Sequence, residues 1–237
     1  MGPVIIGVDI GQKVDPTAIA VNEIEWRMDE NGRRADYHII RHLERLTLGT
    51  PYPKVALRLG EVIAGVRARA AVGHQPGAAL GLKIYVDATG VGQPVVDILA
   101  QAGVKVRPVY FTHGDRRTEE DGGRITLGKA WLVSRLQALL QTGRILLPKT
   151  AEAQALAKEL MDYEIKVDQD ANDKYGAFKV GSHDDLVTAL GLAVQDVGRT
   201  PGSPVAGGVR VGFRPPPLPR AHSSPPFRPG PLPRQGW

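Results

Sequence analysis

Three apolar runs in this chain each meet an aspartate at one end. Val4-Ile5-Ile6-Gly7-Val8 runs into Asp9, and Leu82-Lys83-Ile84-Tyr85-Val86 runs into Asp87. Asp184-Asp185 opens the third, Leu186-Val187-Thr188-Ala189-Leu190-Gly191-Leu192-Ala193-Val194. A carboxylate at the end of a buried strand needs water, a basic partner or a metal to compensate its charge. Two strand-end acids and a helix-start acid are therefore expected to emerge together at one pole of a sheet. Converging carboxylates repel unless a divalent cation binds them, so the pattern predicts a hard-metal site of oxygen ligands.

The chain has 237 residues and no cysteine. The length suits one well-packed domain with a tail, or two small domains. The missing thiols exclude disulfide scaffolds, zinc-thiolate sites and cysteine nucleophiles. No apolar stretch approaches the length of a membrane span, and Met1-Gly2-Pro3 lacks the basic start of a signal peptide, so a soluble intracellular protein without a membrane partner is expected. The net charge of +5 is unevenly placed. Beyond residue 196 stand Arg199, Arg210, Arg214, Arg220, Arg228 and Arg234, with no lysine and no acid, so the body before them is close to neutral. Any affinity of that body for nucleic acid must come from local patches.

Thr17–Trp26 and Tyr37–Leu46 read as strands that follow Val4–Asp9 in a three-stranded meander, with the turn at Asp29–Arg34. Tyr52 to about Val72 has helical spacing, with Val55, Leu59, Val62, Ile63 and Val66 on one face. Leu82–Asp87 is a buried strand, Gln93–Ala102 a helix stopped by Gly103, and Val104–Phe111 a strand reached by a parallel crossover. A long helix is predicted over Thr126–Thr142, and another over Ala151–Met161 capped by Thr150 or its neighbour. Between them, Ile145–Pro148 is a short extended segment. Tyr163–Val167 and Ala177–Val180 alternate polar and apolar residues around the turn-rich Asp168–Gly176, which predicts a β-hairpin with lysines on one face. A last helix runs from Asp184 to about Val197. From Gly198 onward proline dominates, including Pro215-Pro216-Pro217-Leu218-Pro219, a composition that does not bury enough surface to fold alone. The expected organisation is one domain over residues 1–197, with a hairpin at 163–180, and a disordered Pro/Arg-rich tail over 198–237.

Magnesium or manganese would suit the predicted site, since such ions take oxygen ligands and need neither histidine nor cysteine. Two of them roughly 4 Å apart clamp a scissile phosphate, one activating water and the other stabilising the leaving oxygen. Asp9, Asp87 and Asp185 are the candidate catalytic acids, and together with Asp184 they form the candidate metal set. Adjacent helical residues diverge by about 100°, so at most one of Asp184 and Asp185 is expected to face a shared ion. Asp185 is taken as the ligand, and Asp184 as the helix cap or a group behind the ligands. Asp15, before Pro16, is a turn former or a group behind the ligands. His183 orients a ligand and assists proton transfer, or is an exposed loop residue. Lys166, Lys174 and Lys179 track a phosphate backbone or make up a solvated strand face. Arg124 and Lys129, near the predicted start of the long helix, carry the same two readings.

The order and spacing of these segments resemble the RNase H-like (RuvC-like) nuclease superfamily, and the local sequences resemble one branch of it. Gly7-Val8-Asp9-Ile10-Gly11 with Asp15-Pro16-Thr17-Ala18-Ile19-Ala20-Val21 is similar to the first nuclease motif of tailed-bacteriophage large terminases. Val86-Asp87-Ala88-Thr89-Gly90-Val91-Gly92 is similar to the second, and Gly181-Ser182-His183-Asp184-Asp185-Leu186-Val187-Thr188-Ala189-Leu190 to the third. The resemblance extends from residue 4 to about residue 196. It implies an α/β RNase H-like fold, with a mixed five-stranded central sheet flanked by helices and an extra β-hairpin. It also implies cleavage of concatemeric viral DNA during genome packaging, with divalent metal held at Asp9, Asp87 and Asp185. The implied setting is the cytoplasm of an infected bacterium. The implied partners are double-stranded DNA, an ATPase domain or subunit, the portal and the small terminase subunit. The chain has no Gly-x-x-x-x-Gly-Lys-Ser/Thr phosphate loop, so it is expected to be a nuclease half excised from a longer protein, or a separate nuclease. Rival expectations are a junction-resolving nuclease of the same fold, an actin-like ATP-binding kinase or chaperone fragment, and a non-catalytic packaging scaffold.

Overall fold

The structure, a computed structural model, describes residues 2–11, 13–29, 31–72, 81–90, 92–120, 123–167, 173–176 and 183–196. Strands β1 (Val4–Asp9), β2 (Ala18–Met28) and β3 (Arg34–Arg45) form the expected meander, and α1 (Tyr52–Val72) follows. Strand β4 (Lys83–Asp87), helix α2 (Gly92–Gln101) and strand β5 (Arg107–Thr112) make a parallel crossover. Gly103 ends the helix with φ 77°, a conformation glycine takes without a Cβ penalty. The remaining elements are β6 (Arg117–Glu119), β7 (Ile125–Gly128), α3 (Lys129–Gln141), β8 (Ile145–Leu146), α4 (Ala151–Asp162), the paired strands β9 (Glu164–Val167) and β10 (Asp173–Gly176), and α5 (Asp185–Val194). Thr150 caps α4 as expected, its Oγ1 accepting the Ala153 N–H at 3.2 Å.

The main sheet has eight strands in the order β6-β7-β5-β4-β1-β2-β3-β8. The expected mixed five-stranded unit lies at its centre. Two short strands extend one edge and β8 extends the other. β1, β4, β5 and β7 are parallel, β2 is antiparallel to β1, and β3 is antiparallel to β2.

Each face of the sheet carries a core. Val4, Ile6, Val8, Ile84 and Val86 pack against Leu59 and Ile63 of α1 and Val95 and Leu99 of α2. Ile5, Tyr85, Ala18, Ala20 and Leu43 face the other way, into a cluster with α3, α4 and α5. Helix α5 lies directly on β1 and β2, and nine of its ten residues are buried. Its close approach depends on Gly7, where a β-carbon would stand 2.1 Å from the Ala189 carbonyl oxygen.

Two expected boundaries are corrected. Residues 125–128 form a strand, so the long helix begins at Lys129 rather than Thr126; pairing of Ile125–Gly128 with Val109–Thr112 overrides the helical spacing. The second hairpin strand is Asp173–Gly176, registered against Glu164–Val167, within what the composition marks as turn. The expected strand at residues 177–180 and the tail from residue 198 lie outside the described residues.

Candidate metal centre

Strand direction and parity place the acids. β1 and β4 run parallel, so Asp9 and Asp87 reach the same pole. Side chains alternate along a strand. Asp9 therefore shares a face with Ile5 and Gly7, and Asp87 shares a face with Tyr85. That is the face covered by α5. Helix α5 starts at this pole with Asp185, preceded by Asp184 at the N-cap. Lys129 arrives there too, because β7 is parallel to β5 and α3 begins where β7 ends. So does Arg45, the last residue of β3, paired across the sheet with Ala18, which is itself paired with Asp9.

The acids feel one another. The Asp9 carboxyl is held well above the usual carboxylate range, first by burial and then by the charges of Asp87, Asp184 and Asp185, with Lys129 opposing. Asp87 is also raised by burial, although its Oδ1 accepts the Thr89 N–H at 2.8 Å and Lys129 again opposes the shift. Thr89 is fixed in turn, its Oγ1 accepting the Phe111 N–H at 2.8 Å. At this pole three other carboxylates burden Asp9, and Lys129 answers only part of their charge.

Two residues here carry no mark in the motif reading. Arg45 Nε donates to Asp185 Oδ2 at 2.7 Å, and the same guanidinium pairs with Glu159 of α4. Glu159 Oε2 accepts the backbone N–H groups of Leu186 at 3.1 Å and Val187 at 3.3 Å. A signal for Glu159 does exist: it follows Ala153 and Leu156 on the inward stripe of α4, where an acid needs a reason to be buried. Arg45 shares the parity of Leu43, which points into the core under α5.

The other candidates divide by position. His183 Nδ1 lies 3.5 Å from Asp15 Oδ1 and 4.0 Å from Asp185 Oδ1, so both residues stand beside the acids. Asp184 occupies the N-cap position with φ −130° and ψ 13°, but its side chain makes no cap bond. Arg124 precedes β7, whose first residue Ile125 is level with Asp87 through Val109, and its guanidinium lies 4.2 Å from the Tyr110 ring centroid. It is not at the start of α3, because the residues between are a strand. Lys166 and Lys174 are register partners in the β9–β10 pair. Lys179 lies outside the described residues.

The residues fit a hard divalent cation. Asp185 Oδ1 is buried and accepts no hydrogen bond, while Oδ2 is taken by Arg45. The donors are carboxylate oxygens, as magnesium and manganese prefer. Among the described residues, no three Asp, Glu or His side chains close on a single point. The charges of Asp87, Asp184 and Asp185 nevertheless all reach Asp9.

This sheet order, with helices on both faces, is that of the RNase H-like fold. Residues 78–196, half of the chain, match the family described as the terminase RNaseH-like domain, and the chain belongs to that family. Among solved structures it is similar to the large terminase nuclease from thermophilic phage G20c, with 21% identity, 81% of each chain covered and a TM-score of 0.54. The same nuclease with bound magnesium matches at 22% identity and a TM-score of 0.52, over 81% of this chain and 79% of that one. With bound cobalt it matches at 23% identity and a TM-score of 0.50, again over 81% and 79%. No curated protein matches the sequence.

Proposed function

We propose that this chain is a divalent-metal-dependent endonuclease that cuts double-stranded viral DNA concatemers during genome packaging. One observation carries the reading: Asp9 is burdened at once by the charges of Asp87, Asp184 and Asp185. A fold keeps such an arrangement when a cation relieves it. Membership of the terminase nuclease family supports DNA as the substrate. The magnesium- and cobalt-bound forms of the G20c nuclease support divalent metal.

Asp9, Asp87 and Asp185 are the residues that would hold the metal, with Asp184 beside them. Bound there, a divalent ion supplies Lewis-acid polarisation of the phosphate and lowers the pKa of coordinated water. Asp185 presents its unbonded Oδ1 while Arg45 fixes its other oxygen. Thr89 and Phe111 fix the loop that carries Asp87. Lys129 Nζ, 5.7 Å from the Phe111 ring centroid, stands at the rim where it meets a phosphate of the scissile strand. His183, between Asp15 and Asp185, is placed to pass a proton to or from solvent. The setting is the host cytoplasm; among the described residues, no helix is long and apolar enough to cross a membrane. ATP-driven DNA movement and docking to the portal fall to partners of this domain.

The test is plasmid digestion with manganese, magnesium, calcium or chelator, run beside Asp9→Asn. Cleavage with manganese or magnesium, and none with chelator or with the variant, is expected. Cleavage by Asp9→Asn equal to that of the wild type would refute the reading.

A further inference from the structure

Glu159 does the work that the Asp184 side chain would ordinarily do. An N-cap side chain accepts hydrogen bonds from the second and third helical N–H groups. In α5 those groups belong to Leu186 and Val187, and both donate to Glu159 Oε2. Asp184 makes no cap bond with its side chain, and its charge is instead one of those that raise Asp9. Its backbone lies outside helical geometry, so the 100° divergence between adjacent helical residues does not separate its carboxylate from that of Asp185.

Arg45 ties this cap to the acid beside it. Its guanidinium bridges Glu159 and Asp185, whose side chains are 8% and 1% exposed. One oxygen of Asp185 is thereby fixed and the other left without a hydrogen bond. The contact joins three segments distant in sequence: the end of β3, the inward stripe of α4 and the first turn of α5.

We propose that Arg45 and Glu159 form a positioning brace that sets both Asp184 and Asp185 toward the cation site at Asp9. This rests on reading that site as a divalent metal centre. Neither brace residue touches DNA or the ion; both act through the aspartates. The sign of the Arg45 effect separates positioning from simple electrostatics. Removing a cation beside a cluster of acids strengthens the attraction of the cluster for another cation. Losing a brace weakens that attraction, because ligands held by outer partners lose about 10- to 100-fold in metal affinity when those partners are removed.

The experiment is a manganese titration of the full chain, with free Mn2+ read by electron paramagnetic resonance. It compares the wild type with Arg45→Gln, Arg45→Lys and Glu159→Gln, and metal-free melting curves confirm that each is folded. Arg45→Gln is expected to bind Mn2+ about 10- to 100-fold more weakly. Arg45→Lys, which keeps the charge but not the fork, should fall between it and the wild type. In Glu159→Gln the amide oxygen still accepts the two N–H groups, so the helix end survives while the charged link to Arg45 is lost, and Mn2+ binding should still weaken. Wild-type binding with equal or tighter binding by Arg45→Gln would overturn the brace. Should Arg45→Gln fail to fold, unchanged affinity in Glu159→Gln would overturn it instead. A wild-type chain that takes up no Mn2+ would remove the metal centre itself, and the brace with it.

Discussion

Gly7 of β1 lies so close beneath Ala189 of α5 that a β-carbon on it would stand 2.1 Å from the Ala189 carbonyl oxygen and 2.5 Å from the Ala193 nitrogen. Both obstacles are backbone, which cannot rotate aside. Gly7→Ala must push α5 off the sheet, and with it Asp184 and Asp185. The expected cost is about 3 kcal/mol or more, the upper end of core overpacking. Chemical denaturation measures it. A loss within 0.5 kcal/mol of zero would show that the helix is not seated as described.

Asp9→Asn should stabilise the metal-free protein. The folded carboxyl titrates above its unfolded value, so between the two values the native state binds more protons than the unfolded state. Stability therefore falls as pH rises through that window, because the native state resists ionising this carboxyl. Replacing it with a neutral amide is expected to raise the melting temperature by a few degrees, at about 2–4 °C per kcal/mol for a domain of this size. Thermal melts with chelator test this. The same variant should lose any stabilisation that manganese gives the wild type.

Lys129→Met separates substrate contact from metal binding. Lys129 is the cation that lowers both Asp9 and Asp87. Its removal should leave Mn2+ affinity unchanged or tighter, while DNA cleavage falls by about 100-fold, the usual cost of one transition-state donor. Weaker Mn2+ binding in a folded Lys129→Met would contradict that role.

A second pH effect lies far from the acids. His38 of β3 is buried, its Nδ1 accepting from Asn22 Nδ2 at 2.9 Å, and Asn22 Nδ2 also donates to the Ala193 carbonyl at 2.9 Å. Burial, with Arg135 and Arg144 adding to it, lowers the His38 pKa to about 4. The unfolded state takes up a proton near pH 6.5 and the native state does not, so stability is lost as pH falls from about 6.5 to 4. The loss amounts to at most about 3 kcal/mol, at 1.36 kcal/mol per pH unit. His38→Gln keeps an acceptor for Asn22 and should flatten this part of the stability profile. An unchanged slope in the variant would assign the effect elsewhere.

The fold was legible where hydrophobic period and strand order agree. Val4–Asp9 and Lys83–Asp87 end in acids because parallel strands deliver their C-termini to one pole, and parity alone turns Asp9 and Asp87 under α5. Edge strand β6 and its neighbour β7 were not legible. They are short, and Ile125–Gly128 becomes a strand only through its partners in β5 and β6. Convergence of the four aspartates at one pole follows from local patterns, but the hydrogen bonding at the start of α5 does not. It is set by Arg45 and Glu159, 140 and 27 residues away from the groups they bond. No local pattern encodes contacts of that range.

The most direct test of the central claim is anomalous scattering from crystals soaked in manganese. The account predicts a peak between Asp9, Asp87 and the Asp184–Asp185 pair, with carboxylate oxygens at about 2.1 Å, and no such peak in Asp9→Asn. Well-ordered acids with no manganese between them, or a peak that persists in Asp9→Asn, would contradict it.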